Sequence, residues 1–99
     1  MTIPADKAPK AVHPGKVLLD YISSAGLSQS ETARRLSVPT GNVNEICRSK
    51  RGISPEMAFK LARLFGTSIE LWMNLQKKWE VSQVNPAVAA KVRPLKQAA

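Results

Sequence analysis

The sequence predicts an all-α fold of five helices, and three observations predict it. From residue 13 to about residue 80, apolar residues recur at three- and four-residue spacing, the repeat that lines one face of a helix. Helix-start chemistry, a Ser, Thr or Pro followed by an acid, precedes several of these stretches. No segment alternates apolar and polar residues for long enough to form a strand.

Each element can be justified in order. Pro14 fits the first turn of helix one, whose apolar residues are Val17, Leu18, Tyr21, Ile22 and Ala25, and Gly26 stops it. Ser28-Gln29-Ser30-Glu31 fits a capping box for helix two, with Ser28 on the free amides and Glu31 reaching back; Thr32, Ala33 and Leu36 form its inner face. Pro39 and Thr40 open helix three, with Val43, Ile46 and Cys47 facing in. Ser54-Pro55-Glu56 supplies a cap, a first-turn proline and a dipole-matched acid for helix four, which runs through Met57, Ala58, Leu61, Ala62, Leu64 and Phe65 to Gly66. Thr67-Ser68-Ile69-Glu70 reads as a second capping box, with Thr67 as cap of a helix five that presents Leu71, Trp72, Leu75 and Trp79.

Ninety-nine residues suffice for one small domain and not for two. At 43% hydrophobic the chain can build a core, which excludes a disordered basic tail. No apolar run approaches the ~20 residues that span a bilayer. The first residues lack the apolar stretch of a secretory signal. The single cysteine, Cys47, excludes an internal disulfide and suits a reducing compartment. The expectation is a small, soluble, cytoplasmic domain over 13–81, with no membrane association. A flexible arm over 1–12 precedes it. A basic tail over 82–99 follows, holding Pro86, Lys91, Arg93, Pro94 and Lys96 without an acid and compatible with a short helix from Pro86 through Val92.

The formal charge is +8, which fits a nucleic acid, an anionic membrane or an acidic protein equally well. Its placement is more informative. Between 34 and 63 stand seven bases against two acids, so five of the eight surplus charges fall in less than a third of the chain. The same stretch has the spacing of a helix-turn-helix. Only Ser37-Val38-Pro39 separates helices two and three, so they meet steeply. Ala33 is small where they cross, Ser37 tolerates an unusual turn backbone, and Val43 and Ile46 turn back to helix two. A compact αα-hairpin meets most of these constraints too; the basic surplus favours DNA.

In such a motif the second helix enters the major groove with its N-terminal residues at base edges. Helix three presents Thr40, Gly41, Asn42, Asn44 and Glu45 outward. Asn bonds both N6 and N7 of adenine, so Asn42 and Asn44 are the best base readers. Thr40 suits a thymine methyl or a phosphate, and Gly41 allows close backbone approach. Glu45 either accepts from cytosine N4 or pairs with a neighbouring Arg, the second being slightly favoured. Gln29, with the free amides opening helix two, points at a phosphate, and Ser30 beside it belongs to the expected DNA-binding set. Arg48, Lys50 and Arg51 follow the recognition helix and are expected to clamp the backbone. For Arg34, Arg35 and Arg63, a solvated surface explains as much as a phosphate contact.

His13-Pro14-Gly15, Val38-Pro39, the run Lys50-Arg51-Gly52-Ile53-Ser54-Pro55-Glu56-Met57-Ala58, Phe65-Gly66-Thr67-Ser68 and Leu71-Trp72-Met73-Asn74-Leu75-Gln76 resemble the HigA/VapI-type antitoxins of the Xre/λ-repressor-like helix-turn-helix group. The resemblance covers about 13–81. It implies a five-helix domain and a homodimer that binds its own palindromic operator in double-stranded DNA. It also implies a partner toxin of the HigB kind, a RelE-like mRNA endonuclease, which the antitoxin neutralises by binding. Two positions depart from the family pattern: Arg48-Ser49 replaces the usual Asn-Gly, and Ile69 stands where Pro is usual. Against a basic toxin bulk charge attraction fails, so acids such as Asp20, Glu31 or Glu70, or apolar patches, are expected to dock it. A stand-alone transcriptional regulator is the alternative.

A palindromic operator requires recognition helices about 34 Å apart and therefore a two-fold protein. Helix five is the leading seam, through Trp72, Leu75, Gln76 and Trp79. Trp72 fits the intramolecular core at least as well, whereas Trp79 suits a seam better. His13 has no Cys or carboxylate at metal-ligand spacing. No phosphate loop and no Ser/His/Asp set is present, so no cofactor, no metal and no catalysis are expected.

Overall fold

Short-range capping chemistry sets the helix starts. In the computed structural model, which describes residues 11–95, the order is α1 (Pro14–Ser24), α2 (Gln29–Leu36), α3 (Thr40–Cys47), α4 (Pro55–Phe65) and α5 (Ile69–Gln83), then a 3-10 turn at Pro86–Ala89. The arm expected over 1–12 lies almost wholly outside the described residues, as do residues 96–99 of the tail. Among the described residues no strand occurs, and no helix is long and apolar enough to cross a membrane.

Ser28 accepts from the Glu31 N–H (3.0 Å), Ser54 from the Met57 N–H (3.1 Å) and Ser68 from the Leu71 N–H (3.0 Å), each satisfying an orphan amide. Two expectations are corrected here. Glu31 does not reach back as a capping box requires; it is taken by Arg34, whose Nε donates to it at 2.7 Å. The cap of α5 is Ser68 rather than Thr67, whose hydroxyl accepts from Trp72 Nε1 at 2.7 Å. Ile69 is thus the first helical residue, where a proline would only have removed an N–H that is orphaned anyway.

The helix ends share one device. In α1, α2, α3 and α4 an N–H bonds back five residues, Leu27 to Ile22, Val38 to Ala33, Lys50 to Glu45 and Thr67 to Ala62, with the intervening residue left-handed. Glycine fills that position at 26 and 66; serine fills it at 37 (φ 58°) and 49 (φ 61°). The turn residue of the helix-turn-helix is therefore Ser37, as expected. Ser49, where the family pattern has glycine, adopts a left-handed backbone that glycine would take at no steric cost.

The core collects Leu18 and Ile22 of α1, Ala33 and Leu36 of α2, Val43 and Ile46 of α3, Ala58 and Leu61 of α4 and Trp72 of α5. Each large side chain among them contributes about 1.5–3 kcal/mol by leaving water. Trp72 is 0% exposed and packs with Tyr21 (5.4 Å between centroids) and Phe65 (6.5 Å). Helix α1 crosses α3 in backbone contact: a Cβ added at Gly15 would lie 1.8 Å from the Ile46 carbonyl oxygen.

These contacts correct the expected seam. Trp72 and Gln76 are buried within their own chain and cannot face a second copy. Leu75 packs partly on the core, and Trp79 is half-buried, edge-on to His13 at 4.7 Å. Helix α5 also runs two residues past the expected boundary at 81. Only a single 3-10 turn, capped by Asn85 accepting from the Ala87 N–H (3.0 Å), replaces the short helix expected through Val92.

Candidate nucleic-acid interface

The steep α2–α3 pairing leaves the amino-terminal part of α3 exposed beside the start of α2. Thr40 and Gly41 are exposed, and Asn42, Asn44 and Glu45 are half-buried, as the outward assignment requires; Val43, Ile46 and Cys47 are buried behind them. Ser30 is exposed and Gln29 half-buried at the opening of α2. Gly41 has nothing within 4 Å of where a Cβ would sit, so the approach to the backbone is open.

Two pairs of site residues are brought together. Asn44 Nδ2 donates to Gln29 Oε1 at 3.1 Å across the motif. An amide nitrogen carries two hydrogens, so Asn44 keeps one Nδ2–H and its Oδ1 for a base edge, while Gln29 keeps both Nε2 hydrogens. Arg51 donates from Nη2 (2.9 Å) and Nε (3.2 Å) to one carboxylate oxygen of Glu45, realising the pairing favoured over cytosine contact. This pair is about half exposed, so it contributes little stability; it orients the guanidinium and leaves Nη1 unengaged. Arg48 and Lys50 are exposed and, among the described residues, make no ion pair. No hydrogen bond joins Ser30, Thr40 or Asn42 to the other site side chains.

Of the flanking cations, Arg34 and Arg35 both face Glu31, Arg34 closely and Arg35 at 4.0 Å. Glu31 is thereby paired within the chain, while Asp20 and Glu70, the other two acids named for docking a partner, are exposed.

The roles of two residues escaped the sequence reading. His13 is 4% exposed and caps α1, its Nδ1 accepting from the Gly15 N–H at 2.9 Å. Burial lowers its pKa below the ordinary 6.5, while burial pushes the Cys47 thiol up and leaves it unreactive. Gln76 is 7% exposed and accepts from the Ile53 N–H at 2.7 Å, holding the loop that carries the expected clamp. A glutamine four residues after Trp72, within an otherwise apolar stripe, was the available signal.

A helix-turn-helix family model matches residues 22–72. Virulence-associated protein A of Dichelobacter nodosus is 42% identical over 86 residues, 85% of this chain and 84% of its own length. The structure of Pseudomonas aeruginosa antitoxin HigA with the higBA promoter is similar at 35% identity and a TM-score of 0.81, covering 88% of this chain and all of that one. A HigA-family addiction module antidote protein from Coxiella burnetii is 28% identical with a TM-score of 0.78, covering 87% and 99%.

Proposed function

The chain belongs to the helix-turn-helix family, among its Xre-like members that resemble HigA, and from that premise we propose that it is the antitoxin and autorepressor of a toxin–antitoxin pair. As a homodimer it reads a palindromic operator with α3 in the major groove. In the cytoplasm it neutralises a HigB/RelE-like mRNA endonuclease by binding it. The protein performs no catalysis in this reading.

The observation that carries the DNA contact is the Asn44–Gln29 hydrogen bond. It fixes the Asn44 amide with one donor and one acceptor free, the pair that adenine N7 and N6 require. Gln29, held at the opening of α2, offers its remaining donors to a phosphate beside the free helix amides. Asn42 and Thr40 extend the reading face. Arg48, Lys50 and Arg51 add salt-sensitive affinity without sequence information.

The likeness to an antitoxin bound to its promoter supports both halves of the reading. Co-expression with the neighbouring reading frame, followed by size-exclusion and a salt-varied titration on the promoter, tests it. A co-eluting small ribonuclease and selective promoter binding are the expected results. Promoter binding without a co-eluting partner would leave a stand-alone regulator; equal binding to random duplex would reject sequence-specific repression.

A further inference from the structure

The loop between α3 and α4 is pinned at both ends, and the two residues between the pins include one of the clamp cations, Arg51. Its first pin is the α3 end, where the Ser49 and Lys50 amides bond back to Ile46 (3.0 Å) and Glu45 (2.8 Å). Its second is remote in sequence: the buried Ile53 N–H donates to Gln76 Oε1 of α5. Arg51 and Gly52 lie between.

The seat for this amide is built on three sides. Gln76 Nε2 donates to Glu80 Oε2 at 3.1 Å, and an ionised carboxylate only accepts, so the amide oxygen is left facing Ile53. Gly52 supplies the floor: a Cβ there would lie 2.7–2.9 Å from the Gln76 amide atoms. A buried polar side chain with both ends satisfied is held in one orientation.

We propose that Gln76 is the positioning residue through which α5 holds Arg51, the far end of the DNA-backbone clamp, in register with Arg48 and Lys50, whose amides α3 itself holds. The inference rests on the DNA-binding reading above. Gln76 itself is buried and touches no DNA; it acts through the Ile53 amide. A loop released at Ile53 would leave Arg51 tethered only through its exposed pair with Glu45 and let it spread over several positions, while α3 and its Asn44–Gln29 pair stay in place.

Two substitutions in the full-length chain attack the seat from opposite sides. Gln76→Met keeps volume and removes both polar atoms. Gly52→Ala keeps the glutamine but displaces its amide. Each is titrated against a duplex of the chain's own promoter and a random duplex of equal length over a range of salt, and Ile53 amide exchange is followed by NMR. In both variants Ile53 exchange is expected to accelerate. Affinity is expected to fall roughly tenfold on both duplexes, with the salt slope shallower by about one for each phosphate that the clamp no longer neutralises. The promoter-to-random ratio stays within about twofold, because the base readers are untouched. The double variant is no worse than either single one.

A purely structural role would lower the melting temperature or the active fraction and leave the slope unchanged, since each folded molecule would still neutralise every phosphate. An unchanged slope in variants that fold, beside a wild-type protein that binds its promoter, overturns the inference and leaves the DNA reading standing. A wild-type protein that binds neither duplex overturns both. Should Gln76→Met fail to fold, Gly52→Ala carries the same decision.

Discussion

His13 holds a position usually given to Ser, Thr, Asp or Asn, and its imidazole accepts the Gly15 N–H only while Nδ1 is unprotonated. Burial already favours the neutral form, so the folded pKa lies below 6.5. The sign follows from proton counting. Between the folded pKa and 6.5 the unfolded chain binds more protons, so this contribution is complete above pH 6.5 and is lost as pH falls through the folded value. Thermal melts from pH 7.5 downward are expected to show a falling melting temperature, and His13→Asn, which keeps an acceptor that does not titrate, to flatten that part of the curve. At the reading face, Asn44→Ala is expected to cost ~1–3 kcal/mol on the operator and to relax one base position. Asn42→Ala should relax a different position. Equal losses on unrelated duplex in competition titrations would remove either residue from base reading. Gln29 and Asn44 were each legible by position, but their bond spans fifteen residues and emerges only when α2 and α3 pack.

Helices were the legible level of this molecule because their signals are local. Ser28, Ser54 and Ser68 cap helices within three residues of themselves, and Gly26 and Gly66 mark stops by backbone freedom alone. Legibility ended where two local rules competed for one residue. Glu31 could return to Ser28 or go forward to Arg34, and the full charge of the guanidinium prevails over one backbone amide. Thr67 could cap α5 or receive the Trp72 indole, and a buried indole N–H left unbonded costs more than a cap that Ser68 can provide. Serine at 49 illustrates the same limit: φ near 60° is not written in a residue that usually avoids it, and tertiary packing enforces it. Relief of that strain gives a stability test. Ser49→Gly is expected to raise stability by about 0.5–1 kcal/mol, net of the added freedom of the unfolded chain, read as a higher denaturant midpoint with unchanged slope. Gly15→Ala is expected to destabilise severely, because its methyl would overlap the Ile46 carbonyl where α1 crosses α3.

On the scale of the whole chain, the apolar surface is unevenly distributed. Five of the exposed large hydrophobic residues, Val81, Val84, Val88, Val92 and Leu95, follow the aromatic part of α5. Beyond Val81 they lie past the end of α5, with only the 3-10 turn at Pro86–Ala89 among them, so they form a run along the chain rather than one helix face; Lys91 and Arg93 stand among them without an acid. The described residues extend 53 Å along one axis and 22 Å along the others, so a single domain core does not fold back over this row. Trp72 and Gln76, expected at a two-fold seam, are consumed by the core and by the α3–α4 loop. A homodimer on a palindrome therefore has to bury some other surface, and this row carries most of the exposed large apolar side chains among the described residues. Val84→Asp combined with Val88→Asp places two charges where the chain leaves more than half of each side chain exposed. The helical domain is expected to keep its melting temperature, while sedimentation equilibrium shifts from dimer to monomer. Operator affinity is then expected to fall far more on the full palindrome than on a single half-site, because only the palindrome uses both recognition helices. A variant that stays dimeric would return the seam to the half-exposed flank of Leu75 and Trp79. Equal losses on palindrome and half-site would instead place the tail against the DNA backbone, where Lys91 and Arg93 would meet phosphates.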